Sequence, residues 1–206
     1  MKKIIIPILV VLASTGCSLL FSKVYDIKTL KNFDESKINA FNASITHENI
    51  LFHTIIGDSD SYNCIRKKSK SELMNNGLSQ PIQILYFDST GRLISFHANC
   101  YAKGNLSGLD WNYDGRFEQF VPKSAIKLDS VYFSLNLIKD CLKTEINGNF
   151  KNSKLKYTVV IFWTLMFETL SKKAIDLAIK NISQFGKQEE VAIYLINNDK
   201  AFLETK

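Results

Sequence analysis

The last fifty residues carry the pattern that most restricts the fold of this chain. Two continuous apolar runs, 156–163 and 191–196, have the length of buried strands. Between them, Ser171 to Phe185 repeats apolar residues at helical spacing and is closed by Gly186. An apolar strand, a helix and a second apolar strand favour a βαβ crossover, so we predict two parallel strands that are covered on both faces.

A β-hairpin is predicted in the first half of the chain. Pro81 precedes the run IQILYF, and the return run RLISFH follows a turn from Asp88 to Gly91. A glycine at this point supplies the positive φ that hairpin loops need. We predict a further strand over 49–56 and helices over 34–41, between Ser69 and Gly77, and from Asp129 to Ile146.

The fold class expected from these elements is α/β or α+β. It contains a mixed sheet with a β-hairpin and a C-terminal βαβ unit, in a single domain over 31–206. The chain of 206 residues is 46% hydrophobic, which is enough to bury a core and argues against a disordered chain. The net charge is +6, but the basic residues are scattered and have no aromatic residues interleaved. Nucleic acid is therefore not an expected partner.

The N-terminus has the parts of a secretory signal peptide. Residues 1–3 are positively charged, and residues 4–13 are apolar apart from Pro7. This run is far shorter than the roughly 20 apolar residues of a membrane-spanning helix. Small residues then precede Cys17. We predict that residues 1–16 are a signal peptide that is removed.

The stretch VLASTGC, which ends at Cys17, resembles the lipobox of bacterial lipoproteins. The resemblance implies that diacylglycerol alkylates the Cys17 thiol and that cleavage makes Cys17 the first mature residue, followed by a lipidated tether over 17–30. Two or three acyl chains hold a protein at a membrane far more firmly than one. The sequence departs from the family at Ser14, where leucine is usual. The alternative is ordinary secretion, with a simple thiol at Cys17.

By the same resemblance, the residue after Cys17 helps to determine which membrane the lipoprotein reaches. In Gram-negative lipoproteins an aspartate at this position favours the inner membrane, but here the residue is Ser18. The acidic cluster that directs some lipoproteins to the cell surface is missing from 18–23. The expected location is the outer membrane, facing the periplasm. A Gram-positive source would instead place the protein on the outer face of the cell membrane.

Three cysteines remain in a compartment where disulfides persist. We predict a disulfide between Cys64 and Cys100, because both lie near the ends of predicted elements in the same half of the chain. Cys141 lies within an apolar helical pattern, where a buried free thiol is common. The alternative is that all three thiols are reduced and buried.

The segment 157–185, followed by VAIYLINND, resembles the first strand, redox helix and second strand of thioredoxin-like proteins. That family carries Cys-x-x-Cys at the start of the helix, where the thiolate is stabilised. The matching residues 167–170 read Phe-Glu-Thr-Leu, so the resemblance implies the shape without the redox activity. Pro81 resembles the proline before the third strand of the family, in a permuted order. An unrelated α/β sandwich is the alternative.

Glycine, asparagine, aspartate and aromatic residues dominate from Cys100 to about Ser124. This composition predicts a long irregular loop and a candidate binding surface over 101–120, on which Trp111 and Tyr113 are displayed.

A calcium site is one interpretation of part of this loop. The residues Asp110, Asn112 and Asp114 match the first half of a calcium-binding loop. The twelfth position is Val121, where a bidentate glutamate belongs, and Glu118 only partly compensates. The alternative is a polar turn whose side chains bond to their own backbone. No other cofactor is expected.

The sequence contains no phosphate loop, nucleophile elbow or HExxH motif. The three histidines, His47, His53 and His97, lack a metal-ligand spacing, so structural roles are expected for them. The predicted function is a lipid-anchored, non-catalytic domain that binds an envelope protein or a small ligand. The alternative is a thiol-dependent redox protein or other envelope enzyme that uses Cys64 or Cys100.

Overall fold

The computed structural model describes residues 27–68, 72–105, 108–128, 133–142 and 155–204. The predicted signal peptide, the lipidation site and most of the predicted tether lie outside these residues. The strands are β1 (Leu51–Ile56), β2 (Gln83–Asp88), β3 (Leu93–Ala98), β4 (Lys103–Asn105), β5 (Gly108–Asp110), β6 (Tyr157–Trp163) and β7 (Val191–Asn197). The helices are α1 (Glu35–Ala43), α2 (Ser59–Lys68), α3 (Glu72–Leu78), α4 (Leu135–Leu142), α5 (Glu168–Gln184) and α6 (Asp199–Glu204).

Five strands form one mixed sheet in the order β1-β7-β6-β2-β3. The strands β1, β7 and β6 are parallel, whereas β2 is antiparallel to both β6 and β3. The connection β6-α5-β7 is the predicted βαβ crossover, and β2 and β3 are the predicted hairpin. The mixed α/β fold class with both features is therefore confirmed.

Helices cover both faces of the sheet, which explains why its central strands are apolar at every position. One face packs against α1 and α5, through Ile38 and Ile175 among others. The opposite face packs against α2 and α4, through Ile65 and Ile138. Every residue of β7 is buried. Full burial of one such aliphatic side chain stabilises the fold by about 1.5–3 kcal/mol.

The hairpin turn forms as its residues predict. Gly91 has a φ of 79°, and its N–H donates to the carbonyl of Asp88 at 2.9 Å. The Asp88 carboxylate accepts further bonds from the N–H groups of Thr90 and Arg92, each at 3.0 Å. The side chain thus fixes the turn from within.

Three predicted elements differ in detail. The described part of the predicted helix around 129–146 is helical only from Leu135, and Ser134 before it forms an isolated β-bridge with Arg92. The predicted irregular loop contains a small two-stranded sheet, β4 paired with β5. The helix after β6 begins at Glu168, earlier than predicted, after a 3₁₀ turn over Leu165–Phe167.

Candidate functional site

The carboxyl ends of three parallel strands meet at one edge of the sheet. The Gly57 N–H donates to the carbonyl of Asn197, and the Asn198 N–H donates to the carbonyl of Trp163, each at 2.9 Å. These bonds connect the ends of β1, β7 and β6. In open α/β sheets ligands bind outside the carboxyl ends of the strands, so a site is expected at this edge, which we call the carboxyl edge.

Asp199 lies at the centre of this edge and is 1% exposed. Its Oδ1 accepts hydrogen bonds from the Thr164 hydroxyl and, at 2.9 Å, from the Leu165 N–H. The Asp199 N–H donates to Oδ1 of Asn197 at 3.0 Å. Burial raises the pKa of the Asp199 carboxyl, and the bonds from its donors offset only part of that shift. Asp199 therefore links the start of α6 to the turn that leads into α5.

Two nitrogen atoms at the same edge are buried and have no hydrogen-bond partner among the described residues. They are Nε1 of Trp163 and Nδ2 of Asn198. A buried polar group without a partner lowers stability by about 1–3 kcal/mol. Such a pair is therefore typical of a place where ordered water or a small polar molecule binds.

A groove of 1230 Å³ opens beside this edge, between residues 28–44 and the first turns of α5. Its apolar lining includes Leu30, Phe41 and Leu165. The Phe41 ring stacks on Trp163 at 4.1 Å between ring centroids, which ties α1 to the end of β6. Leu165 lines the groove, and its N–H donates to the Asp199 carboxylate. This one residue therefore connects the groove to the buried carboxyl.

Both signs of charge line the groove. Nζ of Lys28 lies 2.6 Å from Glu168, and Nζ of Lys172 lies 3.2 Å from Asp176. Asp34 begins α1, and hydrogen bonds from Ser36 and Lys37 lower the pKa of its carboxyl to about 2. An apolar floor with a rim of mixed charge suits an amphipathic ligand better than a polyanion.

Residues 167–170 lie at the start of α5, and the sequence predicts that they correspond to the two-cysteine motif of thioredoxin-like proteins. Here the Thr164 hydroxyl accepts a hydrogen bond from the Met166 N–H at 3.0 Å and caps the turn before the helix. Residues 167–170, which match the two-cysteine motif, contain no cysteine.

The predicted binding surface is only partly exposed. Tyr113 is 39% exposed, and its hydroxyl accepts a hydrogen bond of 2.6 Å from Arg116, which also pairs with Asp114 at 3.1 Å. Trp111 is 5% exposed and belongs to the core on the α5 side of the sheet. The prediction that Trp111 is displayed is therefore wrong, because its indole covers that core.

Asn181 holds the loop against the domain. It lies on the buried face of α5, and its Nδ2 donates to the carbonyls of Phe117 and Gln119 at 2.8 Å and 3.0 Å. Sequence reasoning missed this residue. The available signal was an asparagine on the largely apolar buried face of an amphipathic helix.

The oxygens of the predicted calcium loop bond within the loop itself. Asp110 Oδ1 accepts from the Asn112 N–H at 2.9 Å, and Asn112 Oδ1 accepts from the Phe117 N–H at 2.7 Å. Asp114 pairs with Arg116. This is the geometry of a self-bonded polar turn, and calcium binding stays a prediction. Across the described ranges, no three histidine, cysteine, aspartate or glutamate side chains are grouped to hold a metal ion.

The disulfide joins different cysteines from those predicted. Cys64 and Cys141 are bonded, with their Cα atoms 5.6 Å apart, whereas Cys100 is free and exposed. The predicted Cys64–Cys100 pair is wrong, because Cys64 on α2 faces α4 across the same core while Cys100 follows the end of β3. Partial burial raises the pKa of the Cys100 thiol, which lowers its fraction of reactive thiolate at neutral pH.

Two histidines are packed into the domain. The His97 ring is 2% exposed and its Nε2 lies 3.0 Å from the Ser95 hydroxyl. Burial, together with the nearby charge of Arg116, lowers the pKa of His97 to about 3. His53 stacks on Tyr194 at 4.5 Å between ring centroids, and burial lowers its pKa. Both rings are therefore neutral at physiological pH.

The residues of the carboxyl edge were also missed by the sequence analysis. Thr164 follows the first apolar run directly, and Asn197 to Asp199 follow the second. Since the two strands were predicted to be parallel, these polar residues could have been expected to meet at one edge.

Within the described residues, no helix is both long enough and apolar enough to cross a membrane. Comparison of the chain with models of protein families, with characterised proteins and with solved structures gave no match.

Proposed function

We propose that this protein is a lipid-anchored binding protein of a bacterial cell envelope, and that the groove beside α5 receives its ligand. The observation that carries the proposal is the groove itself, a 1230 Å³ depression with an apolar floor. The described residues that line it include neither cysteine nor histidine. Its chemistry suits binding of an amphipathic segment or small molecule better than nucleophilic catalysis.

Two features support the location. The sequence up to Cys17 resembles a lipobox, and the Cys64–Cys141 disulfide fits an oxidising compartment such as the periplasm. Ser18 favours the outer membrane over the inner membrane by the same resemblance. The groove begins at Lys28, eleven residues after Cys17. A fully extended chain would therefore keep the groove within about 40 Å of the bilayer.

We further propose that the domain has a thioredoxin-like shape. The unit β6-α5-β7 has the predicted strand–helix–strand order, and Pro81 lies just before β2, next to β6 in the sheet. In this interpretation the groove occupies the region where the redox cysteines of that family act, and a binding surface replaces the thiol chemistry.

The thiol-enzyme alternative has less support. Cys64 is bonded to Cys141, and the pKa of the Cys100 thiol is raised. Titration of the folded protein with a chromogenic disulfide is expected to find one slowly reacting thiol, which disappears in Cys100→Ala. A fast-reacting thiol at neutral pH would favour the enzyme.

Photo-crosslinking tests the groove as the binding face. Phe33 lines the groove and is 37% exposed, and Tyr113, on the distant loop, is 39% exposed. A benzophenone amino acid at residue 33, in the full chain expressed in its native bacterium, is expected to give one defined adduct. The same group at residue 113 is the matched control and is expected to give none. No adduct at 33, or the same adduct at both positions, would contradict the proposal.

A further inference from the structure

Among the described residues, nothing pairs with the outer edge of the sheet at β1, unlike the opposite edge at β3. At β3, the Leu93 N–H donates to the carbonyl of Phe133, and the Ala125 N–H donates to the carbonyl of Phe96. The strand β1 pairs with β7 on one side only. Among the described residues, no hydrogen bond reaches Leu51–Ile56 from the other side.

The direction of the free backbone groups follows from one bond at the end of β1. The Gly57 N–H donates to the carbonyl of Asn197 in β7. Successive residues of a strand direct their backbone groups to alternate sides, so residues 51, 53 and 55 also face β7. The N–H and C=O groups of Phe52, Thr54 and Ile56 therefore point outward.

The side chains of β1 do not protect this edge. Natural sheets protect an exposed edge with charged residues or proline, and the sequence LFHTII contains neither. Leu51 and Ile56 are 43% and 38% exposed, which is high for large apolar side chains. Such a strand is suited to pairing with another strand.

We propose that β1 pairs antiparallel with β1 of a second copy of the chain, about a two-fold axis at Thr54. Thr54 is the middle residue of the three that face outward, so this register alone lets all three exchange backbone hydrogen bonds. It places Thr54 opposite Thr54, and Phe52 opposite Ile56. Threonine–threonine and aromatic–β-branched pairs are both favourable across antiparallel strands.

Charge at β1 does not oppose a second copy of the chain as the occupant. The chain is basic overall, which opposes association of two copies in general. The stretch from Ile50 to Gly57 contains no acidic residue, lysine or arginine. Its one titratable side chain is His53, and burial lowers the pKa of that ring, which favours the neutral form. Two copies can therefore approach along β1 without local repulsion, and the two sheets become one sheet of ten strands.

Cysteine crosslinking tests the register in the full chain, purified in detergent. In a Cys100→Ala background, Thr54→Cys places two thiols on residues whose Cα atoms are about 5.5 Å apart, within reach of a disulfide. Mild oxidation is expected to yield a covalent dimer. Tyr113→Cys in the same background is the matched control and is expected to remain monomeric. Equal dimer yields at the two positions would overturn the proposal.

Sedimentation provides a second readout that does not depend on oxidation. Thr54→Pro removes an outward N–H and leaves the bonds to β7 intact, since proline is tolerated where the N–H of an edge strand faces away. The unmodified chain and Thr54→Val are expected to sediment as dimers, and Thr54→Pro as a monomer that remains folded, with an unchanged far-UV circular dichroism spectrum. A monomeric unmodified chain, or a dimeric Thr54→Pro, would contradict the proposal.

Discussion

Thr164 and Asp199 connect two segments that are 35 residues apart in sequence. The Thr164 hydroxyl donates to the buried Asp199 carboxyl and accepts from the Met166 N–H. One hydroxyl thus satisfies a buried acceptor and caps the turn before α5. The edge of the sheet, the start of α5 and the start of α6 therefore depend on one another.

Thr164→Val is expected to destabilise the fold by about 1–3 kcal/mol, because it removes a donor to a buried carboxyl and a cap. The loss is measured as a lower midpoint of urea unfolding. Thr164→Ser, which keeps the hydroxyl, is the matched control and is expected to retain most of the stability. Equal stabilities for the two variants would show that the hydroxyl bonds do not matter.

The buried His97 predicts how stability depends on pH. Its pKa is about 3 in the folded state and about 6.5 in the unfolded chain, so the unfolded state binds a proton first as the pH falls. Above about pH 6.5 the ring is neutral in both states, so His97 does not lower the free energy of unfolding. Below that pH the unfolded chain takes up the proton and the free energy of unfolding falls progressively. Between pH 7 and pH 5 the loss amounts to about 2 kcal/mol.

His97→Gln is expected to remove this part of the acid destabilisation. Urea unfolding at the two pH values is the measurement, and the exposed His47, changed to Gln, is the matched control for replacing a histidine. The same pH dependence in His97→Gln and in the unmodified chain would contradict the assignment of this loss to His97.

At the scale of elements, the disulfide fixes α2 to α4. It closes a loop of 77 residues, and a crosslink of that length stabilises the folded state by at most about 4.5 kcal/mol through the entropy of the unfolded chain. The double variant Cys64→Ala, Cys141→Ala is therefore expected to lose about 2–4 kcal/mol in urea unfolding. Cys100→Ala is the control and is expected to change stability little. Loss of stability in Cys100→Ala alone would contradict the assigned pairing.

The sequence predicted those elements whose patterns are local. The βαβ unit and the hairpin follow from apolar runs, a helical period and a turn glycine, and each of these signals lies within a few residues. The partner of Cys64 depends instead on which two helices share a face of the sheet. Cys141 was correctly expected on an apolar helix, but the expectation that its thiol is free was wrong, because nothing near it in sequence identifies α2 as its neighbour.

The burial of Trp111 could not be predicted either, because it also depends on contacts between residues that are distant in sequence. A tryptophan in a polar, glycine-containing loop fits a displayed side chain as well as one that folds back on the core. Its burial depends on the contact of the loop with α5, through residues such as Asn181 that are distant in sequence.

The carboxyl edge could have been predicted, because the residues that follow neighbouring parallel strands lie together at one edge of the sheet.

At the scale of the whole molecule, the proposed lipid anchor and tether precede a domain that carries two surfaces. The groove lies beside the start of α5, close in sequence to the tether, and β1 forms one edge of the sheet. Ligand binding in the groove and pairing along β1 use different residues. A variant of one surface is therefore expected to leave the other unchanged.

The intact mass of the protein extracted from its native bacterial membranes tests the proposed lipid anchor at Cys17. We expect a chain that begins at Cys17 and whose excess mass, confined to that residue, equals a diacylglyceryl thioether with or without an additional amide-linked acyl chain. A chain that begins at Met1, or one that carries an unmodified thiol at Cys17, would contradict it.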